Sequence, residues 1–308
     1  MITTVTLNPA LDRMLSVDEI VMGEANRVKR LCDTAAGKGV DVTKVLRDLS
    51  AEVTCTGFLG GAVSSVFIDC FTQIGAHNQF VRIEGITRTN LQIFDGQGRR
   101  TELLEQGPSV TAEEFCALME RVEKLARESS VVTICGSAPR GISLDDYRRL
   151  IRLVKGTGAI TVVDASGALL RAALEEKPHL IKPNRYEMRE LMGDPNADQA
   201  AIRAFSLRLV EKGVPYVLVS LGKEGAMLAC KEGVYLSQAP DVPVKSTLGC
   251  GDTMVASMAL SFEERCPPSE MLRRAVALSS ANAMTFETAH IDPQEYRRLM
   301  ERTTVSRG

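Results

Sequence analysis

The chain has only three histidines, and its eight cysteines include no Cys-x-x-Cys pair. That scarcity disfavours a zinc centre, and scattered single cysteines without a secretion signal read as reduced core residues. No apolar run approaches the roughly 20 residues that span a bilayer. The N-terminus MITTVTLNPALD lacks a basic segment followed by an apolar one, so no signal peptide is expected and a cytoplasmic location is. Positive charge is not in surplus either. A formal net charge of −2 argues against nucleic-acid binding, which needs clustered Lys and Arg. Repeats, low-complexity tracts and linkers are also missing, so residues 1–308 read as a single large α/β unit.

What is present is organised around Val244–Phe262, VKSTLGCGDTMVASMALSF. Met254, Val255, Met258, Ala259 and Phe262 recur at helical spacing, which predicts a helix with one buried stripe and puts Gly249, Cys250 and Gly251 at its N-terminus. Glycine lets a backbone approach a ligand closely, and first-turn amides lack intrahelical acceptors, so the turn is a seat for an anion. A carboxylate there repels phosphate unless it has another task. Two readings of Asp252 stand: a helix cap, worth about 1 kcal/mol, or a general base that takes the proton of a hydroxyl attacking a phosphoryl group.

Elsewhere short apolar strands alternate with amphipathic helices. Ile2–Leu7, Val53–Phe58, Asn78–Val81, Val131–Cys135, Ile160–Asp164, His179–Ile181, Tyr216–Ser220, Ala226–Cys230 and Val234–Leu236 read as strands. Val63–Ile74, Leu144–Lys155 and Ala168–Leu174 read as helices, with a capping box at Thr111–Glu114 and a last helical stripe over Met271–Phe286. The alternation predicts a parallel sheet covered on both faces, with ligands at the strand C-terminal ends. Two polar strands between Arg13 and Asp33, and two more at Thr89–Asp95 and Arg99–Glu105 joined by Asp95-Gly96-Gln97-Gly98, contain too little apolar residue for that core. They predict one small antiparallel sheet outside it. The tail Thr303–Gly308 is expected to fray.

GCGD followed by Thr253 resembles the Gly-Ala-Gly-Asp signature of the phosphofructokinase B, or ribokinase-like, family of sugar kinases, with Cys250 in the alanine place. Further motifs follow in the family's order from about Thr4 to Asn282. Thr6–Asp12 resembles the opening of the phosphosugar branch. Thr34–Ser50 is not a Walker A loop, because Lys38 is followed by Gly39. It is similar to Gly-Gly-Lys-Gly-x-Asn, with Ala36 for the first glycine and Asp41 for the asparagine. Gly136–Gly141 is similar to Gly-Ser-x-Pro-x-Gly, Lys182–Glu187 to Lys-Pro-Asn-x-x-Glu, and Ser220–Gly225 to Ser-Leu-Gly-x-x-Gly.

The resemblance implies a ribokinase-like three-layer α/β/α sandwich with a mostly parallel central sheet. It also implies that the small sheet, from about 12–33 and 88–105, is a lid over the sugar that takes part in homodimers. Asp252 becomes the catalytic base, and Gly249, Cys250 and Gly251 the anion hole. Asp12, Arg27, Gly37, Lys38, Gly39, Asp41, Arg88 and Ser137 fall on the sugar-phosphate side, with Arg88 clamping the existing phosphate. Lys182, Asn184, Ser220, Gly222, Gly225, Gly251 and Asn282 fall on the nucleotide side, and Asn184 and Glu187 organise Mg²⁺ through water. Taken singly, Asp12 also suits a turn, Lys38 a solvated surface, Arg88 a surface ion pair, and Asn184 with Glu187 a capping box. The implied activity is ATP- and Mg²⁺-dependent phosphorylation of a ketohexose phosphate. Ser246-Thr247-Leu248 leans toward fructose 1-phosphate, giving fructose 1,6-bisphosphate, which ranks first, and Thr101–Pro108 toward tagatose 6-phosphate, giving tagatose 1,6-bisphosphate, as the alternative. A kinase for an unphosphorylated sugar or nucleoside, or a noncatalytic sugar-phosphate binder, are the remaining alternatives. No nucleic-acid or membrane partner is expected.

Overall fold

Strands that are apolar on both faces need helices on both sides, and the computed structural model, which describes residues 1–308, has that arrangement. The main sheet runs Ser306–Arg307, Gly233–Ser237, Ala226–Cys230, Tyr216–Ser220, Leu180–Ile181, Ile160–Asp164, Val131–Cys135, Ile2–Thr6, Val53–Gly60, His77–Asn78, with Val81–Ile83 also on Val53–Gly60. Pairing is parallel from His77–Asn78 to Tyr216–Ser220 and antiparallel beyond. Alternate residues of one strand serve different cores. Val132, Val163, Val217 and Val219 face helices Ala112–Glu128, Leu144–Gly156, Gly167–Glu175 and Gln199–Glu211. Val131, Val162 and Leu218 face helices Lys38–Asp48, Cys250–Glu263, Pro268–Ala283 and Pro293–Arg302.

The sheet grows first from Ile2–Thr6 toward Val53–Gly60, then from Val131–Cys135 outward on the other side. The connections after Thr6 and after Cys135 therefore diverge and leave a crevice at the strand C-terminal ends, where such folds bind ligands. The second sheet, ordered Lys29–Ala36, Ala10–Ser16, Arg88–Phe94, Arg100–Leu103, rises from the same place. It is mixed, and not antiparallel as expected. Ala10–Ser16 pairs in parallel with Arg88–Phe94, because two separate excursions of the chain leave the core in the same direction. Each excursion closes antiparallel on itself.

Four other expectations change. Cys250–Glu263 is buried nearly all round from Asp252 to Ala259, because helices Lys38–Asp48 and Pro268–Ala283 cover it as well as the sheet. The last helical stripe ends at Ala283, and Phe286 is exposed. The tail pairs as Ser306–Arg307 with Leu236 and Tyr235. All eight cysteines are free, but Cys32 and Cys116 are exposed instead of in the core. No helix is long and apolar enough to cross a membrane.

Candidate active site

The glycine turn opens the helix as expected: Gly249 is the N-cap in the left-handed region, φ 75°, and Cys250, Gly251 and Asp252 form the first turn. A Cβ on Gly249 would crowd Ala289 N, 2.8 Å away. Asp252 does not cap. No side-chain cap bond exists at this end of the helix, which removes the blander reading. The Asp252 side chain is 9% exposed. Burial, with Asp41 and Asp164 facing it, pushes its carboxyl well above the usual carboxylate range, and Lys38 and Lys182 offset only part of that rise.

Those two lysines meet on one acid. Lys38 Nζ donates to Asp164 Oδ1 at 3.0 Å, and Lys182 Nζ lies 3.4 Å from Asp164 Oδ2. Asp164 is fully buried at the end of strand Ile160–Asp164, and Lys182 is 4% exposed. A Cβ on Gly251 would come within 3.1 Å of Lys182 Nζ, so the second glycine lets the turn sit against this ammonium. Coulombic attraction to Asp164 and Asp252, with the hydrogen bond to Asp164, outweighs burial and raises Lys38 above its ordinary value. Asp164 was not singled out from the sequence. Its signal was available: a carboxylate closes the apolar strand Ile160–Asp164 at the C-terminal edge where ligands bind.

On the other side of the crevice, Asp12 accepts from Asn90 Nδ2 at 2.9 Å and from Gln92 Nε2 at 2.8 Å. Asp41, in helix Lys38–Asp48, is buried and accepts from Lys44 Nζ at 3.2 Å. Burial raises both carboxyls. Arg88 donates to the Glu105 and Asn8 carbonyls, both at 3.1 Å, while its Nε is buried without a partner. Asn8, a second residue missed in the sequence, donates to Ser137 Oγ and to the Gln106 carbonyl, both at 3.1 Å, and so ties three loops together. Gly37 and Gly39 pack against the first strand's end, where a Cβ on Gly39 would overlap Thr6 Oγ1. Arg27 stands apart, exposed on the connection between the first two strands of the second sheet.

At the remaining motifs the capping box is real. Asn184 Oδ1 accepts from Glu187 N at 2.9 Å, and a Glu187 oxygen accepts from Asn184 N at 2.8 Å. Ser220 N donates to the Pro183 carbonyl at 3.1 Å, and Gly222–Glu224 is a single 3₁₀ turn closed by Leu221 N on the Gly225 carbonyl at 2.8 Å. Asn282 departs from expectation. It is 0% exposed and its amide nitrogen donates within the protein.

The profile described as pfkB family carbohydrate kinase matches residues 5–295. The chain belongs to this family. Two relatives named tagatose-6-phosphate kinase, from two strains of Staphylococcus epidermidis, are each 32% identical over 308 residues, 99% of this chain and 99% of theirs. Phosphofructokinase-2 from Escherichia coli, solved in complex with potassium, superposes with a TM-score of 0.93 at 28% identity, covering 98% of each chain. A possible 1-phosphofructokinase from Thermotoga maritima superposes with a TM-score of 0.86 at 26% identity, over 100% of this chain and 99% of that one. The fold is ribokinase-like and the protein is a carbohydrate kinase, a phosphotransferase acting on a sugar phosphate. Within this kinase no group of three or more His, Cys, Asp or Glu side chains converges as a metal cage.

Proposed function

We propose that this kinase transfers the γ-phosphoryl group of ATP to a ketohexose phosphate, with tagatose 6-phosphate, giving tagatose 1,6-bisphosphate, as the first substrate to test. The observation that carries the mechanism is a near-buried Asp252 carboxylate with no capping bond, one residue from free turn amides and beside two lysines. Asp252 takes the proton of the attacking hydroxyl, and its raised pKa makes it a stronger base than an ordinary aspartate. The Gly249, Gly251 and Asp252 amides at the helix N-terminus receive the transferring group, whose charge Lys38 and Lys182 offset, while the Cys250 amide donates to the Thr247 carbonyl at 3.4 Å. Asp164 holds both ammonium groups in place.

Asp12 and Asp41 accept hydroxyls of the sugar, and Arg88, with Ser137 behind it, takes the existing phosphate. Lys182, Ser220, Gly222 and Gly225 belong to the nucleotide side. The donor set fits Mg²⁺ held through water: Glu187 and Asn184 present oxygens at the capping box, and buried Asp164 Oδ2 has only the Lys182 ammonium, 3.4 Å away, and no hydrogen bond. With no three-ligand cage, the ion would be held chiefly by nucleotide phosphates and water, with Asn184 and Glu187 acting through water, and would neutralise phosphate charge.

The relatives and Thr101–Pro108 favour tagatose 6-phosphate, whereas Ser246-Thr247-Leu248 favours fructose 1-phosphate, the second reading. ADP release across tagatose 6-phosphate, fructose 1-phosphate, fructose 6-phosphate and the free sugars tests both. The largest kcat/KM is expected with tagatose 6-phosphate; turnover of free sugars alone would overturn the proposal. The second sheet and its connections expose Val21, Met22, Val28, Leu31, Leu103 and Leu104, with Met22 at 88%, and we propose that a second copy of the chain covers them. Sedimentation velocity reads that directly: a monomer throughout would refute it.

A further inference from the structure

The GCGD turn is held almost wholly from one neighbour. The amides of Lys245 and Ser246 donate to the Ala283 carbonyl at 2.8 and 3.3 Å, and the Cys250 thiol donates to the Ser279 carbonyl at 3.4 Å. Asn282 Nδ2 donates to the Leu248 carbonyl at 2.7 Å and to Cys250 Sγ at 3.4 Å. Ser279, Asn282 and Ala283 all lie in the last turns of helix Pro268–Ala283, with Ser279 and Asn282 one turn apart on one face. Among Gly249, Cys250 and Gly251 only the cysteine has a side chain to grip, and this helix grips it. Burial raises the Cys250 thiol, so it stays protonated and serves as a donor, not as a reactive thiolate.

We propose that Asn282 is a positioning residue for phosphoryl transfer: it fixes the anion-hole turn by holding the Leu248 carbonyl and the Cys250 sulfur, without touching the nucleotide. This rests on the kinase reading above, in which the turn amides receive the moving phosphoryl group. Amides stabilise developing charge only when their direction is set beforehand, and a turn with two glycines has wide freedom of its own. A misplacement of about 1 Å in such a site costs on the order of 10²-fold in rate. Cysteine at 250 fits this arrangement, because a thiol both donates to Ser279 and accepts from Asn282; the family's alanine does neither. Asn282 Oδ1 has no partner within the chain, so the amide holds the turn through its N–H groups.

Asn282→Leu keeps the branched shape of the side chain and removes the donor, and Cys250→Ala, Cys250→Ser and the double variant complete the set in the full chain. In Asn282→Leu, kcat is expected to fall about 10- to 100-fold, with the KM for ATP and the preference for ATP over GTP within about two-fold of the unsubstituted chain. Cys250→Ala should fall only about three-fold, on the scale of one weak sulfur bond, Cys250→Ser should recover most of that, and the double variant should be no slower than Asn282→Leu. Amide hydrogen exchange in the unliganded chain should quicken across residues 246–253 of Asn282→Leu and stay unchanged across 268–278. A raised KM for ATP or an altered purine preference with kcat intact would make Asn282 a nucleotide contact after all. Faster exchange along the whole of 268–283 would reduce it to packing, and unaltered exchange across 246–253 would remove the strut. If the unsubstituted chain releases no ADP with any sugar of the panel, the kinase reading fails, and the exchange measurement still decides the strut.

Discussion

The turn that carries Asp252 and the second sheet that carries Asp12 lie within electrostatic reach of each other through Asp41, yet they are held by opposite means. The turn is wedged between two helices that are themselves packed on the main sheet, in a core cluster containing Val255, Met258, Leu272 and Val276. The second sheet is tied by polar contacts, Asp12 to Asn90 and Gln92 and Arg13 to Asp33, and leaves apolar residues open on strand Lys29–Ala36 and beyond. Chemistry common to a family gains from a site whose groups are set before the substrate arrives. Recognition that differs among sugars can sit on strands that contribute little to the core. The proposed division of labour puts rate in the first region and choice of sugar in the second.

The largest expected effect breaks the first region. Asp252→Asn should cut kcat by about 10³-fold, within the range for loss of a general base, while thermal stability stays level or rises. The stability gain follows because the substitution removes a buried charge that Asp41 and Asp164 oppose. A chain that keeps most of its kcat would sink the base assignment. Next comes Asp164→Ala, which strands two ammonium groups. Breaking one partner of a buried pair costs about 3–5 kcal/mol, so a urea titration should show a loss of that order, and a loss under 1 kcal/mol would mean that the lysines find other anions.

Arg88→Ala addresses the sugar side. Losing a charge-assisted hydrogen bond of about 1.5–3 kcal/mol should raise the KM for the sugar phosphate roughly 10- to 100-fold and leave that for ATP nearly unchanged; equal rises in both would count against the clamp. The pH profile follows in size. Because burial raises Asp252, kcat/KM should climb on an acid limb displaced above the ordinary aspartate value of 3.8. Stability should move the other way. Asp12, Asp41 and Asp252 bind protons more tightly folded than unfolded, so their contribution declines as pH rises from the unfolded value through the folded ones. An acid limb at the ordinary carboxylate position would place another group in the base role.

Much of this was legible in the residues. Strands Val131–Cys135, Ile160–Asp164, Tyr216–Ser220 and Ala226–Cys230 have the expected bounds, because a buried strand between turn residues is a strong local signal. The capping boxes at Thr111 and Asn184 formed as spaced. What was illegible depended on partners distant in sequence. Nothing near Ala10–Ser16 says that its neighbour Arg88–Phe94 runs parallel, and helices Gln199–Glu211 and Pro293–Arg302 were not read at all. Asp164 and Asn8 look ordinary singly and gain meaning only once Lys38, Lys182 and Ser137 arrive beside them. Asn282 was placed at the nucleotide because position along the chain does not reveal burial.

The smallest effect sharpens the comparison most, because Asp41 sits at the seam between the two regions. Its carboxylate is buried beside Lys44, whose ammonium also faces Asp12 and donates to the Ala35 carbonyl. The extra negative charge in the asparagine place is therefore matched internally and does not have to repel the substrate's phosphate. Asp41→Asn restores the family pattern and leaves Lys44 with a less anionic neighbour, while a like charge facing Asp252 disappears. The acid limb should then move toward lower pH, and the KM for the sugar phosphate should change by a few-fold at most, about the scale of one altered hydrogen bond. A change in which sugar is preferred, without a shift of the limb, would assign Asp41 to recognition alone and cut the link between the two ends of the cleft.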